Sequence, residues 1–204
     1  MGLGMAFPSL PVLDSFNRSD SSPISGQWAR ATGMGTVFNL ALVSNHAEDA
    51  DAVGGFTAAS YWTGGTYSSE VAAFATMVSP ADTRGGQGVF LDYLVADQKG
   101  YLIFWQSTYL IYRLDPGFVL LGSFAGTATA GDVLGGMVLG NDVTIFKNGV
   151  ALGSAIDTTY RRTANIGIYC GAWNNAMDNF GGGNAYYNTD PIEHPRIRSR
   201  RTSW

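Results

Sequence analysis

Few side chains in this chain could do chemistry, and their spacing limits what that chemistry could be. The glutamates are Glu48, Glu70 and Glu193, and the histidines are His46 and His194. Cleaving a glycosidic bond takes two carboxyl groups facing one another across the scissile bond. No two glutamates here stand at strand spacing, and Asp92 and Asp97 flank a strand end with nothing to pair them across one face. Neither histidine accompanies a recognisable nucleophile, and neither G-x-S-x-G nor H-E-x-x-H occurs. The glycine runs at 84–88 and 181–184 lack the strand-loop-helix setting of a phosphate loop. The chain is therefore not expected to be an enzyme. One acidic stretch stands out: Glu48, Asp49 and Asp51 offer hard oxygen ligands within one loop, a set that calcium accepts. The plainer alternative is solvated surface charge on a loop or a single helical turn.

The elements that would carry these residues are strands. The chain has 204 residues, enough for one sizeable β domain. Its 27 glycines suit many tight turns, its aromatic content of 13% suits strands, and its charged content of 14% is low for a soluble surface. Short β-branched or aromatic runs lie at 37–43, 58–62, 71–78, 89–95, 101–105, 109–114, 118–124, 165–169 and 177–180, each bounded by turn residues. The firmest element is 132–149, where two apolar runs flank Gly140-Asn141-Asp142 and end at Asn148-Gly149, a dipeptide suited to a type I′ turn. The stretch 28–39 reads as a glycine-punctuated segment, and 45–51 as an acidic loop or one helical turn. No helix is expected, and the pattern is that of a sandwich or barrel.

A single cysteine, Cys170, excludes an internal disulfide framework. The first eleven residues lack Lys, Arg and a long apolar core, so no secretory signal is expected, and no apolar run is long enough for a membrane-spanning helix. Pro8 and Pro11 disfavour helix and central strand, which makes 1–13 an extended N-terminal arm. Charge is uneven. Arg196, Arg198, Arg200 and Arg201 against Glu193 give the tail 191–204 a charge of +3, leaving −7 for the rest of a chain whose net charge is −4. This basic C-terminal arm suits docking to an acidic neighbour such as another copy; the alternative is a solvated tail. Four arginines without interleaved aromatics do not suit nucleic acid.

Three groups of residues make the sequence recognisable. Asp14, Phe16, Arg18, Asp20 and Trp28 fit an opening D-x-F-x-R-x-D followed by Trp. Gly131-Asp132-Val133-Leu134 and the hairpin to Asn148-Gly149 fit a G-D-x-L, strand, turn, strand, N-G element. Gly167 followed by Asp178-Asn179-Phe180 fits a closing strand. In this order the chain resembles the concanavalin A-like lectin/glucanase superfamily, in the laminin G-like form common in bacterial and phage proteins. Ser21 in place of Gly and the Gly135-Gly136 doublet depart from the pattern.

The resemblance implies an all-β, two-sheet antiparallel jelly-roll sandwich over 14–190, with Phe16, Trp28, Phe146 and Phe180 in the core and the first and last strands adjacent. It implies structural roles for Asp14, Arg18 and Asp178, and calcium sites occur among relatives. Sugar binding, the superfamily's commonest role, calls for aromatic faces beside Asn, Asp and glycine backbone. Trp62 and Tyr67 in one loop, and Trp173, Asn174 and Asn175 in another, meet that requirement. The alternative for Trp62 and Trp105 is plain core. The function expected is a non-enzymatic virion structural subunit (phage tail, fibre or capsid decoration), made in the host cytoplasm without a signal peptide. Its expected partners are other virion proteins, copies of itself through the arms, and surface glycans, with no nucleic acid or membrane. The alternatives are a carbohydrate-binding lectin module unconnected with a virion and, behind it, a glycoside hydrolase or polysaccharide lyase. No cofactor is expected beyond the calcium considered above.

Overall fold

The computed structural model describes residues 6–32, 37–49, 57–80, 85–171 and 175–186. In chain order the strands are β1 (Val12–Asp14), β2 (Trp28–Arg30), β3 (Val37–Phe38), β4 (Leu40–Val43), β5 (His46–Asp49) and β6 (Thr57–Trp62). There follow β7 (Val71–Met77), β8 (Gln87–Leu94), β9 (Lys99–Trp105), β10 (Tyr109–Leu114) and β11 (Phe118–Phe124). The last are β12 (Val133–Leu139), β13 (Asp142–Lys147), β14 (Val150–Ile156), β15 (Asn165–Gly171) and β16 (Ala176–Asn184). No helix occurs among the described residues.

The strands form two eight-stranded sheets. The first has the order β14-β13-β12-β7-β16-β5-β4, with β1 paired to β16; the second has the order β11-β10-β9-β8-β15-β6-β2, with β3 paired to β6. Within them only the short β3–β6 pair runs parallel. This is a two-sheet sandwich, and β1 beside β16 makes the first and last strands neighbours, as the resemblance implies. Asn148 and Gly149 take φ of 51° and 78°, the left-handed pair of a type I′ turn, and join β13 to β14.

Three sequence expectations need correction. The stretch read as an acidic loop or helical turn contains β5, which is held in place by β4 on one side and β16 on the other. The segment 28–39 contains β2 before the strand run expected from residue 37. Beyond Asn148-Gly149, where no strand was expected, β14 continues the meander. It is an exposed edge strand whose small residues carry little β signal.

Between the sheets lies one apolar core in which Leu91, Ile103, Ile111, Leu134, Val143, Ile145, Ile166 and Ile168 meet. Cys170 is buried there with its thiol toward the Ala47 carbonyl. Trp28, Trp62, Phe16 and Phe180 pack together at one end, with the Trp28 and Trp62 rings 5.3 Å apart edge to face and Trp28 and Phe180 5.0 Å apart. Such pairs add roughly 0.5–1.5 kcal/mol beyond the area they bury. Phe146 is a core residue, as the resemblance implies, though in a second apolar cluster. It is fully buried on the outer face of the first sheet, with Met137 and Leu139, roofed by Phe7 and Leu10. The Phe7 ring lies 5.1 Å from that of Phe146 and 6.0 Å from that of Phe74. The described part of the expected N-terminal arm is thus packed onto the sheet.

The glycine doublet explains how both faces can fill. A Cβ on Gly136 would run into Ile103 from the opposite sheet, and one on Gly135 would stand 2.9 Å from the Phe7 ring. The two glycines admit a side chain from inside and another from outside at adjacent positions of β12.

Asp14 ties the aromatic end together. Its Oδ1 accepts the Phe16 N–H at 2.8 Å and Arg18 Nη1 at 2.6 Å, and its Oδ2 accepts Trp28 Nε1 at 2.8 Å. Arg18 goes on to the Ser25 hydroxyl and carbonyl, closing the loop between β1 and β2. Asp14→Ala leaves all three donors without a partner, and we expect it to lower stability by about 2–4 kcal/mol in chemical denaturation. A loss below about 0.5 kcal/mol would show that water replaces the carboxylate without cost.

Candidate functional site

The loop after β6 is the better described of the two aromatic loops. Strand alternation places Ala58, Ser60 and Trp62 on the inner face of β6 and Tyr61 on the outer. Trp62 is therefore core: it packs on Trp28 and Phe180 and presents no open ring face, which corrects its sugar-stacking assignment. Trp105 is core as well. The backbone then turns through Gly64 and Gly65. The Thr63 N–H bonds the Gln27 carbonyl, and the N–H and carbonyl of Tyr67 bridge to Ala164. Asn165 Nδ2 donates to the carbonyls of both Trp62 and Gly65 at 3.1 Å, so β15 pins the loop.

This geometry leaves Thr63, Gly64 and Thr66 exposed, with two polar tips standing beside the glycines. A Cβ at Gly64 would strike Gln27 Oε1, and one at Gly65 would stand 3.6 Å from the Tyr67 hydroxyl. Tyr67 is half-buried, and that burial raises its phenol above the ordinary tyrosine range. Gln27 and Asn165 were not singled out from sequence. Each comes to the loop from a distant strand end, and no local pattern signals it.

In the second loop, Trp173 and Asn174 lie outside the described residues. Asn175 is fully buried, with Nδ2 3.5 Å from the Gly171 carbonyl.

Of the calcium set, Glu48 and Asp49 lie on β5. Ala47 points into the core, so on β5 the side chains of His46 and Glu48 project outward while that of Asp49 turns inward. Neighbouring residues of one strand diverge, and Glu48 and Asp49 cannot close on one ion from a flat β5. Asp51 lies outside the described residues, among which no group of three metal-ligating side chains occurs. Burial raises the Glu48 carboxyl; Asp49 and Asp20 add to this and His46 opposes it. The arm residues Arg196, Arg198, Arg200 and Arg201 also lie outside the described residues.

The remaining carboxylates are mostly saturated by donors. Asp157 accepts the Tyr101 hydroxyl at 2.9 Å, Arg113 Nη1 at 2.6 Å and the Thr159 N–H at 2.7 Å. Burial works against its charge, yet these partners hold its carboxyl below the usual carboxylate pKa range. Arg161 joins the same knot through Tyr101 and the carbonyls of Tyr160 and Asp157. At the start of β12, Asp132 accepts Thr129 N–H and Oγ1–H, Asn148 Nδ2 at 2.8 Å and Lys147 at 2.9 Å. Burial again opposes, and these donors bring the group down to about 2. The G-D and N-G ends of the recognised hairpin element therefore touch.

Asp92 is the exception. It sits at a bulge in β8 with φ of 49°, its side chain is sealed from solvent, and neither oxygen accepts a hydrogen bond. Arg162 Nε stands 3.8 Å away. Burial pushes Asp92 up to about 6 in spite of Arg162 and Arg161. Asp97, its sequence partner, is exposed at the following turn.

By sequence, no family model and no curated protein matches the chain. By structure, it is similar to the exoplasmic/lumenal domain of VIP36 in a Ca2+/Man3GlcNAc-bound form, with a TM-score of 0.61 and 8% identity over 92% of this chain and 95% of that one. It is similar to the carbohydrate binding module CBM66 from Bacillus subtilis at 0.59 and 11% identity, over 77% of this chain and 95% of that one. It is similar to the Bacillus licheniformis beta-glucanase at 0.53 and 11%, over 85% of this chain and 97% of that one. The fold is the concanavalin A-like jelly-roll sandwich, which serves binding proteins and glucanases alike.

The sealed carboxyl of Asp92 makes a pH-dependent prediction. Its acidity is weaker folded than unfolded, so its charge penalises the fold fully above about pH 6, and the penalty fades as pH falls toward about 4. Asp92→Asn should stabilise the protein at pH 7.5 by roughly 1–2 kcal/mol after allowance for screening, and the advantage should shrink by pH 4.5. Thermal melts of both proteins at the two pH values measure this, and a difference independent of pH would refute it.

Proposed function

We propose that the chain is a non-catalytic, lectin-like glycan-binding module, with its contact surface at the loop after β6. The observation that carries the reading is the bared Gly64-Gly65 turn beside the Gln27 amide and the Tyr67 phenol. Sugars are recognised by hydroxyl-directed polar tips beside an aromatic surface, on backbone rigid enough to hold them, and Asn165 supplies the rigidity. Trp173 and Asn174 belong to the proposal as the aromatic and amide of the second loop.

Against catalysis stands the state of the carboxyl groups. A general acid must hold its proton near neutral pH and reach its substrate. Asp92 is raised but sealed, while Asp132 and Asp157 are held ionised by their donors. Glu48 is raised and half-buried on an outer face, and a hydrolytic reading would rest on it.

The finer form of the proposal makes this module a virion structural subunit of a phage tail, fibre or capsid decoration. Its support is the charge asymmetry between a +3 tail and a −7 body, which suits docking of the tail to an acidic neighbour. Deletion of 191–204 should then abolish assembly without loss of glycan retention.

A glycan array and affinity electrophoresis in soluble polysaccharides test the binding reading. Gln27→Ala and Trp173→Ala should each weaken retention about tenfold or more, the loss of roughly 1.4 kcal/mol or more, with little change in Tm. An array on which the wild-type protein retains nothing would overturn the reading, and so would release of reducing ends from a retained glycan that stops in Glu48→Gln.

A further inference from the structure

The loop after β6 offers polar tips without an open ring: Trp62 is core and Tyr67 is half-buried. Among the described residues only Phe118 and Tyr186 are both aromatic and exposed, Tyr186 at 70%. Phe118 is on β11, with four strands between it and β6. Tyr186 is nearer, because of where β16 ends. Asn184 closes that strand opposite Val71, the first residue of β7. One step on, Ala185 is fully buried and donates its N–H to the Glu70 carbonyl at 2.8 Å. Asn184 Oδ1 accepts the Ser68 N–H at 2.7 Å, and the Ser68 hydroxyl donates to the Glu70 carbonyl at 2.8 Å. The antiparallel register thus brings Tyr186 level with Ser69, on the 63–70 connection that also carries the Gly64-Gly65 turn.

We propose that Tyr186 is the stacking platform of the glycan site, an assignment that rests on the glycan-binding reading and adds a contact residue to it. The ligand is then a neutral oligosaccharide of two or more sugar units, laid from Gly64-Gly65 to Tyr186. An exposed tyrosine face suits the C–H side of a sugar while its hydroxyl stays in water. The bonds at Asn184 and Ala185 hold the backbone beneath the ring, so a ligand has only two side-chain torsions left to still. Length follows from the layers. The glycine turn leaves the end of β6 in the second sheet, Tyr186 leaves the end of β16 in the first, and packed sheets lie ~10 Å apart. One sugar ring does not bridge that gap. Charge sets the class. The connection carries Glu70 and no basic residue, in a chain of net charge −4, so an acidic polymer is repelled.

Affinity electrophoresis of the full chain in soluble β-glucan, mannan, galactan and xylan gels tests the assignment, with the monosaccharide and tetrasaccharide of the retarding polymer as competitors. The tetrasaccharide should release the wild-type protein at a concentration about tenfold or more below that of the monosaccharide. Tyr186→Ala should weaken retention about tenfold or more and narrow that gap, while Tyr186→Phe, which keeps the ring, should stay within about twofold of wild type. Neither variant should shift Tm, and Phe118→Ala should be retained like the wild-type protein. Retention unchanged in Tyr186→Ala would overturn the assignment and leave the glycan-binding reading standing. So would a loss in Tyr186→Phe as large as in Tyr186→Ala, or a monosaccharide that competes as well as the tetrasaccharide. Wild-type protein retarded in none of the four gels would overturn it too. A glycan array then separates the two failures: retention of acidic glycans alone sinks only the neutral oligosaccharide, and a blank array sinks the glycan-binding reading as well.

Discussion

The carboxylate of Asp14 is shared by a backbone N–H two residues on, a guanidinium four residues on and an indole N–H fourteen residues on. Few single groups could do this. A carboxylate presents about four acceptor positions, and the indole offers one donor and no acceptor. Burying Trp28 in the core therefore requires an acceptor at its rim, and the strand that provides it also pairs with β16, the last strand. The paired ends of the domain, the aromatic cluster and the closure of the β1–β2 loop all depend on this one set of bonds. Asp132 does a similar task at the other recognised element, where Lys147, Asn148 and Thr129 surround it. The residues that make the sequence recognisable are thus the ones that hold turns to strands. They carry the fold, and the chemistry lies elsewhere.

Much of the architecture was legible, for a definable reason. Strands such as β8, β9, β10 and β15 are dense in β-branched and aromatic residues and are bounded by turns, so the local signal agrees with the global one. The unread strands lack that density. His-Ala-Glu-Asp in β5 has no β-branched residue and is a strand only because β4 and β16 flank it. The double glycine of β12 reads as a departure from the pattern because a sequence does not show which side chains approach from other layers. Ile103 and Phe7 both lie more than thirty residues earlier in the chain.

The candidate site was legible in type and not in orientation. The aromatics near 62–67 were identifiable, but which of them faces outward depends on strand phase. Ala58 and Ser60, small residues four and two places before Trp62, carried that information, since they share its inner face. The partners that shape the loop, Gln27 and Asn165, reach it through long-range contacts. Adjacent acidic residues read as a cradle when 45–51 was taken for a loop. On a strand the same residues point opposite ways.

The lone thiol has a practical meaning of its own. Cys170 lies wholly inside the sandwich, and burial, with Asp49 and Glu48 nearby, keeps it in the protonated, unreactive form. An alkylating reagent can reach it only when the two layers part. The protein thus contains a native clock for its own opening, placed where β15 meets both β6 and β8. The rate at which that sulfur is captured measures how often the layers separate, without any introduced label.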